Sequence, residues 1–106
     1  MRDLLAPEEL ANALSTTLPA WRVEDGMLVR SIKAPSFADG VRLVDEVAAV
    51  ADQIDHHPDI DVRWTTVTFR LTTHSAGGVT EMDLQLAAAI DHLAAASGSN
   101  LVGEGG

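Results

Sequence analysis

The most constraining feature of the sequence is a change of hydrophobic period at a proline. Apolar residues recur every three or four positions at Phe37, Val41, Val44, Ala48 and Ala51, reaching Asp55. Leu43, Val47, Val50 and Ile54 widen the stripe. That is the pattern of a helix with a buried face. Ser36 is a good N-cap for it, and Asp39 suits its positive end. Pro58 lacks a donor and disfavours helix at the preceding residue, so the helix stops at Ile54–Asp55 with His56 and His57 on its exit. From Ile60 to His74 the period falls to two. Val67, Phe69 and Leu71 alternate with Thr66, Thr68, Arg70, Thr72 and His74. Ile60, Val62 and Trp64 have the opposite parity, which calls for a bulge or tight turn near Arg63–Thr66.

The rest of the chain is compatible with the same layering. Pro7, Glu8 and Glu9 suit the first turn of a short helix carrying Leu10 and Leu14. Two β-like runs, 20–24 and 27–33, flank Asp25-Gly26, a strong hairpin signal because both turn positions need positive φ. Pairing across it places Trp21, Val23, Leu28 and Ile32 on one face. Ser75-Ala76-Gly77-Gly78 reads as a loop. Thr80 and Asp83 then form a capping box in which Asp replaces the usual Glu or Gln, and Met82, Leu86, Ile90 and Leu93 give the last helix its buried face. The order α-ββ-α-(β)β-α predicts an α+β fold: a mixed, mainly antiparallel sheet with helices packed on one face. Residues 1–96 form a single domain and 97–106 a flexible tail.

Composition removes several classes of function. A chain of 106 residues without Cys has no disulfide, thiolate zinc site, iron–sulfur cluster or Cys nucleophile. Sixteen acidic against seven basic residues, a formal charge of −9, argue against direct binding to nucleic acid or an anionic membrane. No apolar run approaches the ~18 residues of a membrane span, and the first residues lack a signal-peptide core. The expected setting is cytoplasmic.

The chemistry-bearing residues are histidines at element ends. His56 and His57 leave the long helix beside Asp55, and His74 ends a strand on its outward parity, nine residues before Asp83. Loop-bordering ends of rigid elements are where sites are built, and imidazole exchanges protons near neutral pH. A plain structural role competes with this: histidines at a helix C-terminus complement its dipole, and Asp83 has a capping task of its own. His92, beside Asp91, reads as solvated. A metal site has the ligand count but lacks HxH, HxxxH or HExxH spacing, and Gly77-Gly78 lacks the context of a phosphate loop.

The run Asp52-Gln53-Ile54-Asp55-His56-His57-Pro58, followed by Trp64, by Thr73-His74 and by Asp83, resembles the pterin-4a-carbinolamine dehydratase family. The family pattern is an acid, three residues, His-His-Pro, an aromatic six residues on, a His ten further, and an Asp after a short loop; every spacing is met. The resemblance runs from about Trp21 to about Ala94, with Val62-Arg63-Trp64 where the family often has Asn-Val-Tyr. It implies a four-stranded antiparallel sheet with helices on one face. It also implies dehydration of a 4a-hydroxytetrahydropterin to the quinonoid dihydropterin, with no metal or redox cofactor. By position, His56, His57 and His74 surround the reacting carbons. Asp83 orients one imidazole while capping its helix, and Asp55, Thr72, Thr73 and Ser75 flank the pterin with hydrogen bonds. Members of the family are dimers or tetramers, and the runs Ala87-Ala88-Ala89 and Ala94-Ala95-Ala96 offer a close-approach surface to a second helix. Some members are transcriptional coactivators, so the alternative is a dehydratase-like scaffold that assembles with another protein.

Overall fold

Asp25 and Gly26 both have positive φ, 52° and 76°, and close the hairpin that starts the sheet. In a computed structural model, which describes residues 3–98 and the backbone of 100 and 101, this hairpin joins β1 (Arg22–Glu24) to β2 (Met27–Lys33). Before it lies α1 (Pro7–Thr16), with Pro7 in its first turn and the Glu9 carboxylate accepting the Ala6 N–H at 3.0 Å. After it come α2 (Phe37–Ile54), β3 (Asp59–Arg63), β4 (Thr66–Leu71), a 3-10 turn at His74–Ala76, and α3 (Glu81–Ala96). The strand order is β1-β2-β4-β3, antiparallel throughout, so the expected four-stranded sheet is present. A short fifth strand, β5 (Asn100–Leu101), pairs with Ile32 and Lys33 at the end of β2. Residues 100 and 101 of the segment expected as a flexible tail thus pair with the sheet, and Ser97 and Gly98 turn off the end of α3 with their N–H groups on the Leu93 and Ala95 carbonyls. The expectation at residues 99 and 102–106 lies outside the described residues.

The parity switch in the second hairpin is made by a two-residue turn. Arg63 pairs with Thr66, and Trp64 takes φ 53° between them. Ile60 and Phe69 thereby meet on one face, joined by Leu28, Ile32, Val67 and Leu71, and the helices cover that face. Val23 shares the face but is 46% exposed, because β1 is a three-residue edge strand beyond the cover of the helices.

Helix α2 settles on a different column from the one its strongest apolar residues suggest. Gly40, Leu43, Val47 and Ala51 are buried, while Phe37 and Val41 are 55% and 46% exposed. Close approach decides the choice: a Cβ on Gly40 would stand 3.3 Å from Val67 Cγ2. Where apolar residues cover more than half the circumference, the side that packs most closely goes inward. Ser36 caps the helix as expected, accepting the Asp39 N–H at 3.1 Å.

On α3, Leu86 and Ile90 are fully buried. Ala87 and Ala94, expected on an outer surface, are buried too; Ala88, Ala95 and Ala96 point outward. An ion pair that the sequence reading missed fastens α3 to the sheet. Arg30, on the inner face of β2, pairs with Asp91, which also accepts the Trp21 indole N–H at 2.7 Å. His92 is exposed, as expected. Among the described residues no helix is long and apolar enough to cross a membrane.

Candidate active site

The end of α2 fixes the first histidine. Asp55 adopts φ 52° and closes the helix, and the His56 N–H turns back to the Ala51 carbonyl at 3.0 Å. A left-handed residue just past a helix is the usual device for satisfying its last carbonyls. It directs the His56 side chain inward and leaves His57 outside. His56 is 7% exposed and meets Asp83, which has no exposed surface, at 2.6 Å between Nε2 and Oδ1. A carboxylate only accepts, so the imidazole Nε2–H is the donor. His57 donates from Nε2 to the exposed Asp52 at 2.9 Å, five residues back in the last turn of α2.

The loop after β4 supplies the other half. Thr73 N–H donates to the Gly78 carbonyl at 2.8 Å, and the Thr73 carbonyl accepts from Gly77 N–H at 2.9 Å, so the loop is a closed clasp. Gly77, with φ 80°, makes the reversal possible. His74 heads the 3-10 turn at the tip of the clasp, exposed, instead of ending a strand; β4 stops at Leu71. Two backbone links tie the N-terminal segment beside this loop: a bridge from Leu4 to Thr80, and Leu5 N–H to the Val79 carbonyl at 3.1 Å.

Asp83 serves two structures at once. Its Oδ2 accepts the Thr80 N–H at 2.9 Å, completing the cap of α3, and the Thr73 hydroxyl at 2.8 Å. Its Oδ1 takes His56. The Thr80 hydroxyl stands 2.8 Å from that of Thr73 and accepts the Met82 N–H at 3.2 Å. Full satisfaction is what a buried carboxylate requires, since an unpaired one costs several kcal/mol.

Of the expected residues, then, hydrogen bonds join His56, Thr73 and Asp83 into one buried network. His57 and His74 adjoin it along the chain on the solvent side. Asp55 and Ser75 are exposed and Thr72 half-buried, each without a side-chain hydrogen bond among the described residues. Thr73 differs from expectation. Its hydroxyl, N–H and carbonyl are all engaged within the protein and it is 2% exposed, so it has no free group for a ligand. Two participants had no site role in the sequence reading. Asp52 stands there as the acid that opens the His-His-Pro motif and Thr80 as a helix cap; the hydroxyl contact of Thr80 with Thr73 depends on loop closure and leaves no trace in spacing.

Residues 3–93 match the family model described as pterin 4 alpha carbinolamine dehydratase. The match begins well before Trp21, so the N-terminal segment tied to the clasp lies within it. A protein of Mycobacterium sp. (strain JLS) is 51% identical over 86 residues, covering 81% of this chain and 92% of its own. One from Nocardia farcinica is 50% identical over 92 residues, covering 87% and 96%. Both carry provisional names as pterin-4-alpha-carbinolamine dehydratases. Among solved structures, a transcriptional coactivator/pterin dehydratase from Brucella melitensis superposes with a TM-score of 0.83 at 31% identity, covering 87% of this chain and 99% of its own. A pterin dehydratase-like protein identified as a RuBisCO assembly factor in the alpha-carboxysome gives 0.58 at 27% identity, covering 70% and 86%. Agreement over this length, in sequence and in fold, makes the chain a member of the pterin-4-alpha-carbinolamine dehydratase family.

Proposed function

We propose that the protein dehydrates a 4a-hydroxytetrahydropterin to the quinonoid dihydropterin and water, a step in recycling tetrahydropterin. The observation that carries the reading is His56, buried and backed by Asp83, with His57 and His74 open beside it. In the elimination the C4a–O bond breaks and the departing hydroxyl takes a proton to leave as water. N5 loses its proton, and its electron pair forms the N5=C4a double bond. One imidazole gives a proton and another receives one, and positioned groups of this kind contribute roughly 10²–10⁴-fold each. Asp55, Thr72 and Ser75 hold the pterin through their free polar groups, whereas Thr73 acts from behind.

Family membership and the three imidazoles support the enzyme. Likeness to an assembly factor supports a second reading, a scaffold for another protein, but a scaffold has no physical need of a histidine braced by a buried carboxylate. The deciding experiment follows quinonoid dihydropterin formation from freshly generated 4a-hydroxytetrahydropterin with the purified protein. Acceleration over the spontaneous reaction, unchanged by EDTA, is expected. A rate equal to the spontaneous one would leave the scaffold reading standing.

A further inference from the structure

We propose that Thr73 and Thr80 are positioning residues that fix the proton on His56 at Nε2, so that Nδ1 is the atom that exchanges a proton with the pterin. The proposal rests on the dehydratase reading for its chemistry and on hydrogen-bond directions for its geometry.

Those directions follow from counting protons. Asp83 Oδ2 only accepts, so the single hydroxyl proton of Thr73 goes to it across 2.8 Å. Thr73 Oγ1 is then the acceptor in its 2.8 Å contact with Thr80, and the Thr80 proton goes there. Thr80 Oγ1 accepts in turn from Met82 N–H, the first link of the chain. With the Thr80 N–H added, Oδ2 holds two donors, which pin the carboxylate and leave Oδ1 for His56. The imidazole must therefore present N–H at Nε2. Among the described residues, Arg30 Nε is the sole buried side-chain nitrogen or oxygen without a partner. Among the described residues His56 Nδ1 makes no hydrogen bond and is not one of the fully buried unpartnered atoms, so it keeps some contact with solvent although the residue as a whole is only 7% exposed. A carboxylate behind an imidazole holds its tautomer and steadies the imidazolium formed when the opposite nitrogen takes a proton. The hydroxyl pair extends that support one shell outward, as groups around a working side chain commonly do.

The test reads the ring nitrogens directly, by long-range 1H–15N spectroscopy at a pH high enough to leave the imidazole neutral. Wild-type His56 is expected to show a pyrrole-type Nε2 and a pyridine-type Nδ1. Thr73→Val should blur this into a mixed-tautomer pattern and lower kcat roughly tenfold with KM within about twofold, and Thr73→Ser should recover most of both. Thr80→Val should move in the same direction. A pyridine-type Nε2 in the wild type overturns the proposal, as does a folded Thr73→Val protein with unchanged ring signals and kcat. If Thr73→Val fails to fold, the wild-type spectrum and Thr80→Val still decide. Absence of pterin turnover with the expected ring pattern would remove the dehydratase reading and support the positioning. Turnover with the opposite tautomer would overturn the positioning alone.

Discussion

Asp83 and His56, 27 residues apart in sequence, meet at 2.6 Å in the interior, and the same carboxylate caps α3. One side chain thus anchors a helix start and orients an imidazole, so its loss should register in both stability and turnover. Asp83→Asn retains an oxygen for the cap but offers His56 an amide that donates, which reverses the bond. The expected outcome is a folded protein whose kcat falls by roughly 10²-fold or more. Asp83→Ala removes the acceptor for three donors and should also cost about 3 kcal/mol in urea unfolding. Wild-type turnover by Asp83→Asn would detach Asp83 from the chemistry.

The adjacent histidines should separate in their effects. His57 is exposed and bonded to an exposed carboxylate, so His57→Ala should lower dehydration by roughly 10²-fold while leaving the melting temperature nearly unchanged. His56→Ala leaves Asp83 buried without its imidazole and should lower both turnover and stability, the latter by about 2–3 kcal/mol. Kinetics and thermal denaturation of the two variants check this. If both retained wild-type turnover, the site would be placed wrongly.

The start of α2 carries a pH dependence whose sign is fixed. The Arg42 guanidinium, and then the Ser36 hydroxyl, hold the Asp39 carboxyl below its ordinary value of 3.8. Because the folded value is the lower one, the contribution is complete above the unfolded value and is lost as pH falls through the folded value. Denaturant titrations should therefore show Asp39→Asn slightly less stable than wild type at neutral pH, the effect being small at so exposed a site, with the gap narrowing as pH falls below the ordinary carboxylate range. Ser36→Ala, which removes the cap itself, should cost about 1 kcal/mol at neutral pH.

Much of this arrangement is legible in the sequence alone. The period change at Pro58, the Asp25-Gly26 hairpin, the Ser36 cap and the Thr80–Asp83 box are local signals, and local chemistry settles them. The column that α2 buries was not legible, because Gly40 prevails over Phe37 and Val41 only when Val67 is opposite. Nor was the inward turn of Thr73, which looked like a ligand contact until the clasp to Gly78 engaged its backbone. The Arg30–Asp91 pair joins residues 61 apart and has no spacing to betray it.

Assembly is the remaining expectation, and the structure moves its location. The alanines of α3 proposed as a contact surface are partly internal, whereas Phe37 and Val41 stand exposed one turn apart on α2. β3 lies at the end of the strand order, with β4 as its partner and its other edge unpaired among the described residues. Exposed apolar columns and free strand edges are both relieved by pairing across a two-fold axis. A homodimer or a dimer of dimers is therefore expected, with each site internal to its subunit, since His56, Thr73, Thr80 and Asp83 come from one chain. Light scattering at micromolar protein should give a multiple of the 11.2 kDa chain mass. Val41→Lys should lower that mass if α2 forms the contact, while the edge strand would leave it unchanged. A single species of monomer mass at every concentration would rule the assembly out and leave the assignment of the site intact.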